Sequence, residues 1–458
     1  MQEVGGSIPP GSTRFFRPAS PSSRGLGHIP FTDATGVRIP VGTPLEEELF
    51  VVDRSLPIRP GLLRALAFAL VLTPAAAFAD SHLTPYAIEA IAHNSNVFDL
   101  PANGTIPIPP GSSTPTLADT TYRSSLGLDA AYQWGQQKFF GIGEVRRVDY
   151  RNFTTLNHNE SLLSGGLDWK LGHLFDGVIS YSHERRMVQF KDLQDATTLY
   201  IETANVASAS ANIHVTPEWQ VQNLATDQRL DSPRPGAPQL SLHEVSIKEG
   251  LRYGGFANLS AGFDLEYVNG KFRNDPLALT PNFHQFSELL AASYRVAAHT
   301  KFNSTLGYTR RSNQNAAGNS ADVSAVTGSL EYLRNLTGKT SLEVKLERDV
   351  NSYVTTAGSE VDTSGGFAVN WLATPKIAVR AGYKWTQSKY PPIAAPGGVP
   401  GRDDHFQTAN LEATYQVFHW ISIRAYANHQ SRNSNLGNFV FNATVYGVEF
   451  QARRPQYN

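Results

Sequence analysis

Lys376-Ile377-Ala378-Val379-Arg380-Ala381-Gly382-Tyr383-Lys384-Trp385-Thr386 decides the fold. Every odd position from Ile377 to Trp385 is apolar or aromatic, and the even positions are Lys, Ala, Arg, Gly, Lys and Thr. Successive side chains of a strand point to opposite faces, so the segment has one greasy face and one wet, basic face. It is longer than the 5–6 residues usual for a globular strand. Its apolar face ends in Tyr383 and Trp385, residue types favoured where lipid meets water. Ala373-Thr374-Pro375 before it reads as a tight turn to a second strand beginning near Ser364. Such a hairpin, repeated and closed, makes a transmembrane β-barrel.

The repeat is present. Short turns stand at Gly135-Gln136-Gln137, Gly172-His173, Thr216-Pro217-Glu218, Gly254-Gly255, Ala298-His299, Thr337-Gly338-Lys339, Thr374-Pro375 and Phe418-His419. Longer polar connections lie between them: 96–119, 228–239, 273–281, 311–322, 390–403 and 432–438. Short turns at one end and long loops at the other are the asymmetry of an outer-membrane barrel. Alternation recurs in Leu126 to Trp134, Leu163 to Leu171, Val245 to Tyr253, Ala257 to Tyr267, Leu342 to Leu346 and Leu411 to Val417. Two stretches, 144–147 and 183–186, carry charges in both phases and break the rhythm.

Eight short turns join sixteen strands. One strand before them, near 85–94, and one after, near 439–453, make eighteen; sixteen is the alternative if the first is not in the wall. Eighteen strands over residues 80–458 leave about 21 residues for each strand and its connection, against the 9–11 a crossing needs. In hydrocarbon an unpaired backbone N–H or C=O costs several kcal/mol, so the sheet must close. A soluble β-sandwich would need shorter strands and a second sheet over each apolar face. The fold class expected is therefore an all-β, transmembrane antiparallel up-and-down barrel.

Bulk properties agree. The formal charge of −1 argues against a nucleic-acid partner. Cysteine is absent, which suits an exported chain without a disulfide framework. Mean hydropathy is −0.29, below that of a helical membrane protein, whereas a barrel hides its apolar face by alternation.

Residues 1–57 are rich in Pro, Gly, Ser and Arg without a sustained period and read as a disordered leader. Residues 58–79 have the parts of a secretory signal: Arg59 and Arg64, a short apolar core, Pro74, and Ala77-Phe78-Ala79 as a small-x-small cleavage site. Arg64 and Pro74 leave too short an apolar run for a spanning helix, which needs about 20 residues. The barrel is expected over 80–458. The leader is expected to reflect a mis-assigned start, with translation beginning near Val51 or Val52; N-terminal sequencing reads this directly.

The functional candidates are the inward charges. The basic set is Lys170, Lys248, Arg252, Lys345, Arg380, Lys384 and Arg424. The acidic set is Asp168, Asp264, Glu266, Glu343, Glu347, Glu412 and Glu449. Facing charges in a polar lumen set the field for a passing solute. The alternative is a wall of cross-strand ion pairs that only stiffens the barrel. Arg380, Lys384 and Arg424 are the strongest candidates for polymer contact because neighbouring strands would carry them; Lys345, Lys248 and Arg252 follow. No nucleophile elbow or metal-spaced His pair is found, so no catalytic residue, metal or cofactor is expected.

Several hairpins also resemble the EpsL-type exopolysaccharide proteins, a family of β-barrel porins. The resemblance lies in His93-Asn94-Ser95-Asn96-Val97-Phe98-Asp99-Leu100, in Leu306-Gly307-Tyr308-Thr309-Arg310-Arg311 and in Thr337-Gly338-Lys339-Thr340-Ser341-Leu342. It continues in Trp371-Leu372-Ala373-Thr374-Pro375-Lys376 and in Tyr415 to Ser422. It implies a Gram-negative outer-membrane component of polysaccharide export. Its implied partners are membrane lipid, an extracellular polysaccharide and periplasmic export components. The other functions considered are a general small-solute porin, a plugged barrel that docks export proteins, and a hydrolase trimming the polymer.

Overall fold

The computed structural model describes residues 81–454 except 103, 193–196, 235–236, 257, 274–281, 298, 315–321, 354–357 and 393–400. The expected leader and signal peptide lie outside the described residues. Eighteen strands follow in order. The first six are β1 (His82–Asn94), β2 (Asp119–Trp134), β3 (Gln137–Tyr150), β4 (His158–Leu171), β5 (Phe175–Met187) and β6 (Ile201–His214). The next six are β7 (Trp219–Arg234), β8 (Ala237–Tyr253), β9 (Leu259–Arg273), β10 (Asn282–Ala297), β11 (Thr300–Gln314) and β12 (Val323–Asn335). The last are β13 (Thr340–Tyr353), β14 (Gly358–Thr374), β15 (Ile377–Tyr390), β16 (Arg402–Phe418), β17 (Ile421–Ser434) and β18 (Phe441–Arg453).

Each strand pairs antiparallel with its sequence neighbours, and β1 also pairs with β18, from Tyr86 opposite Arg453 to Asn94 opposite Val445. The sheet therefore closes on itself, with the β12–β13 ladder running from Asn335 opposite Ser341 up to Gly328 opposite Arg348. The expected eighteen-stranded closed barrel is the observed fold. All eight short turns fall where the sequence placed them, Ala298 itself lying outside the described residues. Gly135 (φ 60°) and Gly172 (φ 64°) occupy the left-handed region at two of these turns, where a side chain would be strained.

Alternation sorts the two faces. Trp134, Leu163, Ile179, Leu290, Leu306, Phe367 and Leu411 are large apolar residues exposed on the outer wall. Such a continuous apolar exterior is stable only against lipid. At the short-turn end, Trp219 and Tyr253 pack at 4.8 Å, part of an aromatic girdle with Trp134, Tyr294, Trp371 and Tyr415. Inward residues are polar through most of the wall, and their hydroxyls are linked: Thr309 bonds Ser287 at 2.9 Å and Thr327 at 2.8 Å.

The strands reach farther toward the long-loop end than alternation indicated. Gln228 belongs to β7, Arg311 to β11, Tyr390 to β15, Arg402 and Asp403 to β16 and Arg432 to β17, all in stretches the sequence marked as connections. The ragged stretches 144–147 and 183–186 lie within β3 and β5. Glu144 and Arg146 there form one inward pair, and Glu184 and Arg186 another.

Close strand approach is set locally by glycine. A Cβ on Gly307 of β11 would stand 1.8 Å from the Glu288 carbonyl oxygen of β10. A backbone atom cannot step aside as a flexible side chain can. Gly307→Val is expected to abolish the heat-resistant band that a folded barrel gives in unboiled gel electrophoresis.

Candidate functional site

The lumen carries the chemistry. On β8, Lys248, Gly250 and Arg252 all face inward, and Gly250 lies opposite Asp264 of β9. Because Gly250 has no side chain, the Asp264 carboxylate occupies that space; a Cβ there would meet its Oδ1 at 2.4 Å. Asp264 is 1 % exposed and sits 3.1 Å from Lys248 Nζ and 2.5 Å from Arg252 Nη1. Two cations thus share one buried carboxylate.

A second group lies across β15 to β18. Arg380 stands opposite Glu412 in the register and bonds Asn370 at 3.2 Å. Arg424 reaches Glu412 at 3.2 Å and Glu449 at 2.8 Å, and Arg123 shares Glu449 at 2.5 Å. Arg380 and Arg424 therefore flank Glu412 as neighbouring strands predicted. Lys384 does not join them. It and Lys345 stand on either side of Gly366, each opposite it in the register. Lys345 pairs with Glu347 at 3.0 Å along β13. Lys248 and Arg252 belong to a different stretch of wall. Of the six candidates, Lys248, Arg252 and Arg424 pair with carboxylates on neighbouring strands, whereas Lys345 pairs along its own strand β13. Arg380 meets Glu343 only at 3.9 Å.

Lys191 lies in the short helical turn Phe190–Asp192 between β5 and β6, which reaches the inner wall at the long-loop end. Its carbonyl oxygen accepts a 2.7 Å bond from Arg432 Nη1 on β17, a strand well separated from β5 and β6 around the barrel. Arg432 is held in turn. It and Arg402 share Asp404, and all three side chains are at most 2 % exposed. The Arg402 guanidinium lies over the rings of Tyr390 (3.8 Å) and Phe439 (4.2 Å). A further link joins separated strands, from Ser352 of β13 to Glu244 of β8 at 2.6 Å, with Arg311 of β11 donating to Ser352 at 2.9 Å.

Three connections pack on one another beside this crossing. Val97, Phe98 and Leu100 from the first meet Phe153 and Leu156 from the second and Val188 and Phe190 from the third. Phe98 is the centre, edge-on to Phe153 at 4.7 Å and to Phe190 at 4.9 Å. Buried polar groups set the loop shapes. Asn96 Nδ2 donates to Leu100 O at 2.8 Å and to Asn442 O at 3.1 Å. Asp119 accepts from the N–H groups of Asn152 (3.0 Å) and Phe153 (2.8 Å). Asp119→Ala would leave these donors unpaired, a cost of about 1–3 kcal/mol. It is expected to lower the urea midpoint and to expose residues 95–118 to protease.

Sequence reasoning missed the Arg402–Asp404–Arg432 cluster. The signal was present: Arg432 is in phase with Arg424, and Asp404 with Glu412.

The closed ladder, the apolar exterior and the polar lumen define the class: this is an outer-membrane β-barrel, located in the outer membrane. No protein-family model matches the chain, and no curated protein matches it. Solved structures of similar shape include the outer membrane protein OpdK from Pseudomonas aeruginosa, 14% identical with a TM-score of 0.43, covering 82% of this chain and 100% of that one. OccK2 (OpdF) from the same organism, solved with glucuronate, is 12% identical with a TM-score of 0.45 over 82% of this chain and 99% of its own. The FrpB iron transporter from Neisseria meningitidis is 10% identical, TM-score 0.46, over 76% and 62%. At such identities and TM-scores they assign this chain neither a family nor a role. The EpsL-type resemblance gains no support from the family comparison.

Proposed function

We propose that this barrel is a porin through which small polar solutes diffuse across the outer membrane. The observation that carries this reading is the inward-folded connection between β5 and β6, tied to Arg432 at 2.7 Å. A turn folded against the inner wall at the mouth narrows it for a thick polymer more than for a small solute. The lumen also mixes its signs: Lys248 and Arg252 share Asp264 with Glu266 opposite Lys248 in the register, and Glu412 and Glu449 offset Arg424 and Arg123. Charges so paired leave a weak net field along the path and favour a broad range of solutes.

Export of a polysaccharide, with periplasmic components delivering it, is the second reading and rests on the hairpin resemblance. Arg380, Lys384, Arg424, Lys345, Lys248 and Arg252 would be its contact residues. Planar-bilayer recording separates the two. The porin reading expects ohmic current that added polysaccharide leaves unchanged. Current blocked by the polymer from the short-turn side would favour export.

A further inference from the structure

The outer wall carries a feature the lumen does not explain. Arg147, Arg185, Arg229, Lys271, Arg310 and Arg348 are all exposed, on β3, β5, β7, β9, β11 and β13 respectively. Each is in the outward phase of its strand: Arg147 with Phe139 and Val145, Arg185 with Ile179 and Tyr181, Arg310 with Leu306 and Tyr308. Each lies within the last six residues of a strand that runs toward the long-loop end. The result is a band of cations, one on every second strand, at the upper margin of the apolar wall. At the short-turn end the same face carries aromatic rings, and Arg334 is the one basic outward strand residue among those described.

Counter-charges are few. Arg147 has Asp149 at 2.8 Å, and Asp227, beside Arg229, is taken by His243 at 3.0 Å. Among the described residues Arg348 bonds neutral groups, Thr363 Oγ1 at 2.7 Å and Val326 O at 3.1 Å, and Arg310 lies over the Tyr308 ring at 5.4 Å. A chain of net charge −1 has thus placed a positive band on one rim of its lipid-facing surface. Long basic side chains at that depth reach the headgroup level with their stems against the apolar wall.

We propose that this band binds phosphate groups of anionic lipids in the leaflet at the long-loop end, holding them as a shell around β3 to β13. The chemistry is charge-assisted hydrogen bonding of guanidinium and ammonium groups to phosphate oxygens. Polar neighbours Thr363 and His243 add donors between the cations.

The test uses the full barrel in phosphatidylcholine vesicles with traces of spin-labelled phosphatidic acid or spin-labelled phosphatidylcholine. The motionally restricted fraction gives the relative association constant of the two labels. Selectivity for phosphatidic acid is expected in the wild type, weakened by salt. In R185Q/R229Q/R310Q/R348Q it is expected to fall at least about fivefold, the effect of a single cation near a charged headgroup. R334Q is expected to change nothing. Unchanged selectivity in the quadruple variant, or an equal loss in R334Q, overturns the proposal. So does binding of inorganic phosphate to the detergent-solubilised barrel with no selectivity for phosphatidic acid in vesicles, which would mark a free-phosphate site. If the quadruple variant fails to fold, R185Q/R229Q and R310Q/R348Q are each expected to lose part of the selectivity, and no loss in either is a refutation.

Discussion

Asp404→Ala is expected to destabilise the barrel by about 3–5 kcal/mol, the cost of removing one partner from a buried ion pair. Asp404 is fully buried between Arg402 and Arg432, which are 2 % exposed. Without the carboxylate, two buried guanidiniums of like charge lose the ion pair they share. Arg402 keeps its stacking on Tyr390 and Phe439, which offsets only part of the loss. Arg432 loses the group that orients it toward the Lys191 carbonyl, so the connection between β5 and β6 is expected to loosen. Two readouts should therefore move together: a lower urea midpoint in lipid vesicles and a larger, noisier single-channel conductance. A large fall in stability with unchanged conductance would show that the tie does not narrow the mouth.

Asp264→Asn should give the second largest effect, this time on selectivity. The carboxylate sits against Gly250 and serves Lys248 and Arg252 together. Asn keeps the size and removes the charge. Hydrogen bonds to charged groups contribute about 1.5–3 kcal/mol, so stability falls less than for Asp404. Lys248 and Arg252 are partly exposed to the lumen and would lose the carboxylate they share, so their positive field on passing ions would rise. The reversal potential in a salt gradient is expected to shift toward the anion's equilibrium potential. No shift would mean that this wall lies off the conduction path.

The barrel itself was legible because its cause is local. A face must be oily on one side and wet on the other, and residues such as Ile377 to Trp385 record that directly. Turns at Thr374-Pro375 and Gly135 mark the strand ends equally plainly. Above the membrane that constraint lapses. Phe283 faces inward yet is buried under Arg311, whose guanidinium lies 3.3 Å from the ring centre. Leu242 and Phe272 join the same buried apolar cluster. The ends of β11, β16 and β17 are polar in both phases, as in Arg310-Arg311-Ser312-Asn313, Arg402-Asp403-Asp404-His405 and Ser431-Arg432-Asn433-Ser434, so they read as loops. The tie between Lys191 and Arg432 spans 241 positions in sequence and leaves no periodic trace. Among the candidates, phase gave the inward direction of Arg380, Lys384 and Arg424. It could not give their partners, because register decides that Arg380 meets Glu412 while Lys384 meets Gly366.

Size exclusion reads the central claim most directly. Liposomes containing the purified barrel should swell in mono- and disaccharides at rates that fall steeply with solute size, and should exclude long polysaccharide chains. Deleting the segment around Lys191 should raise the size limit. Free passage of a long polymer through the intact barrel, or no swelling in any sugar, would contradict a water-filled lumen narrowed by its own folded-in connection.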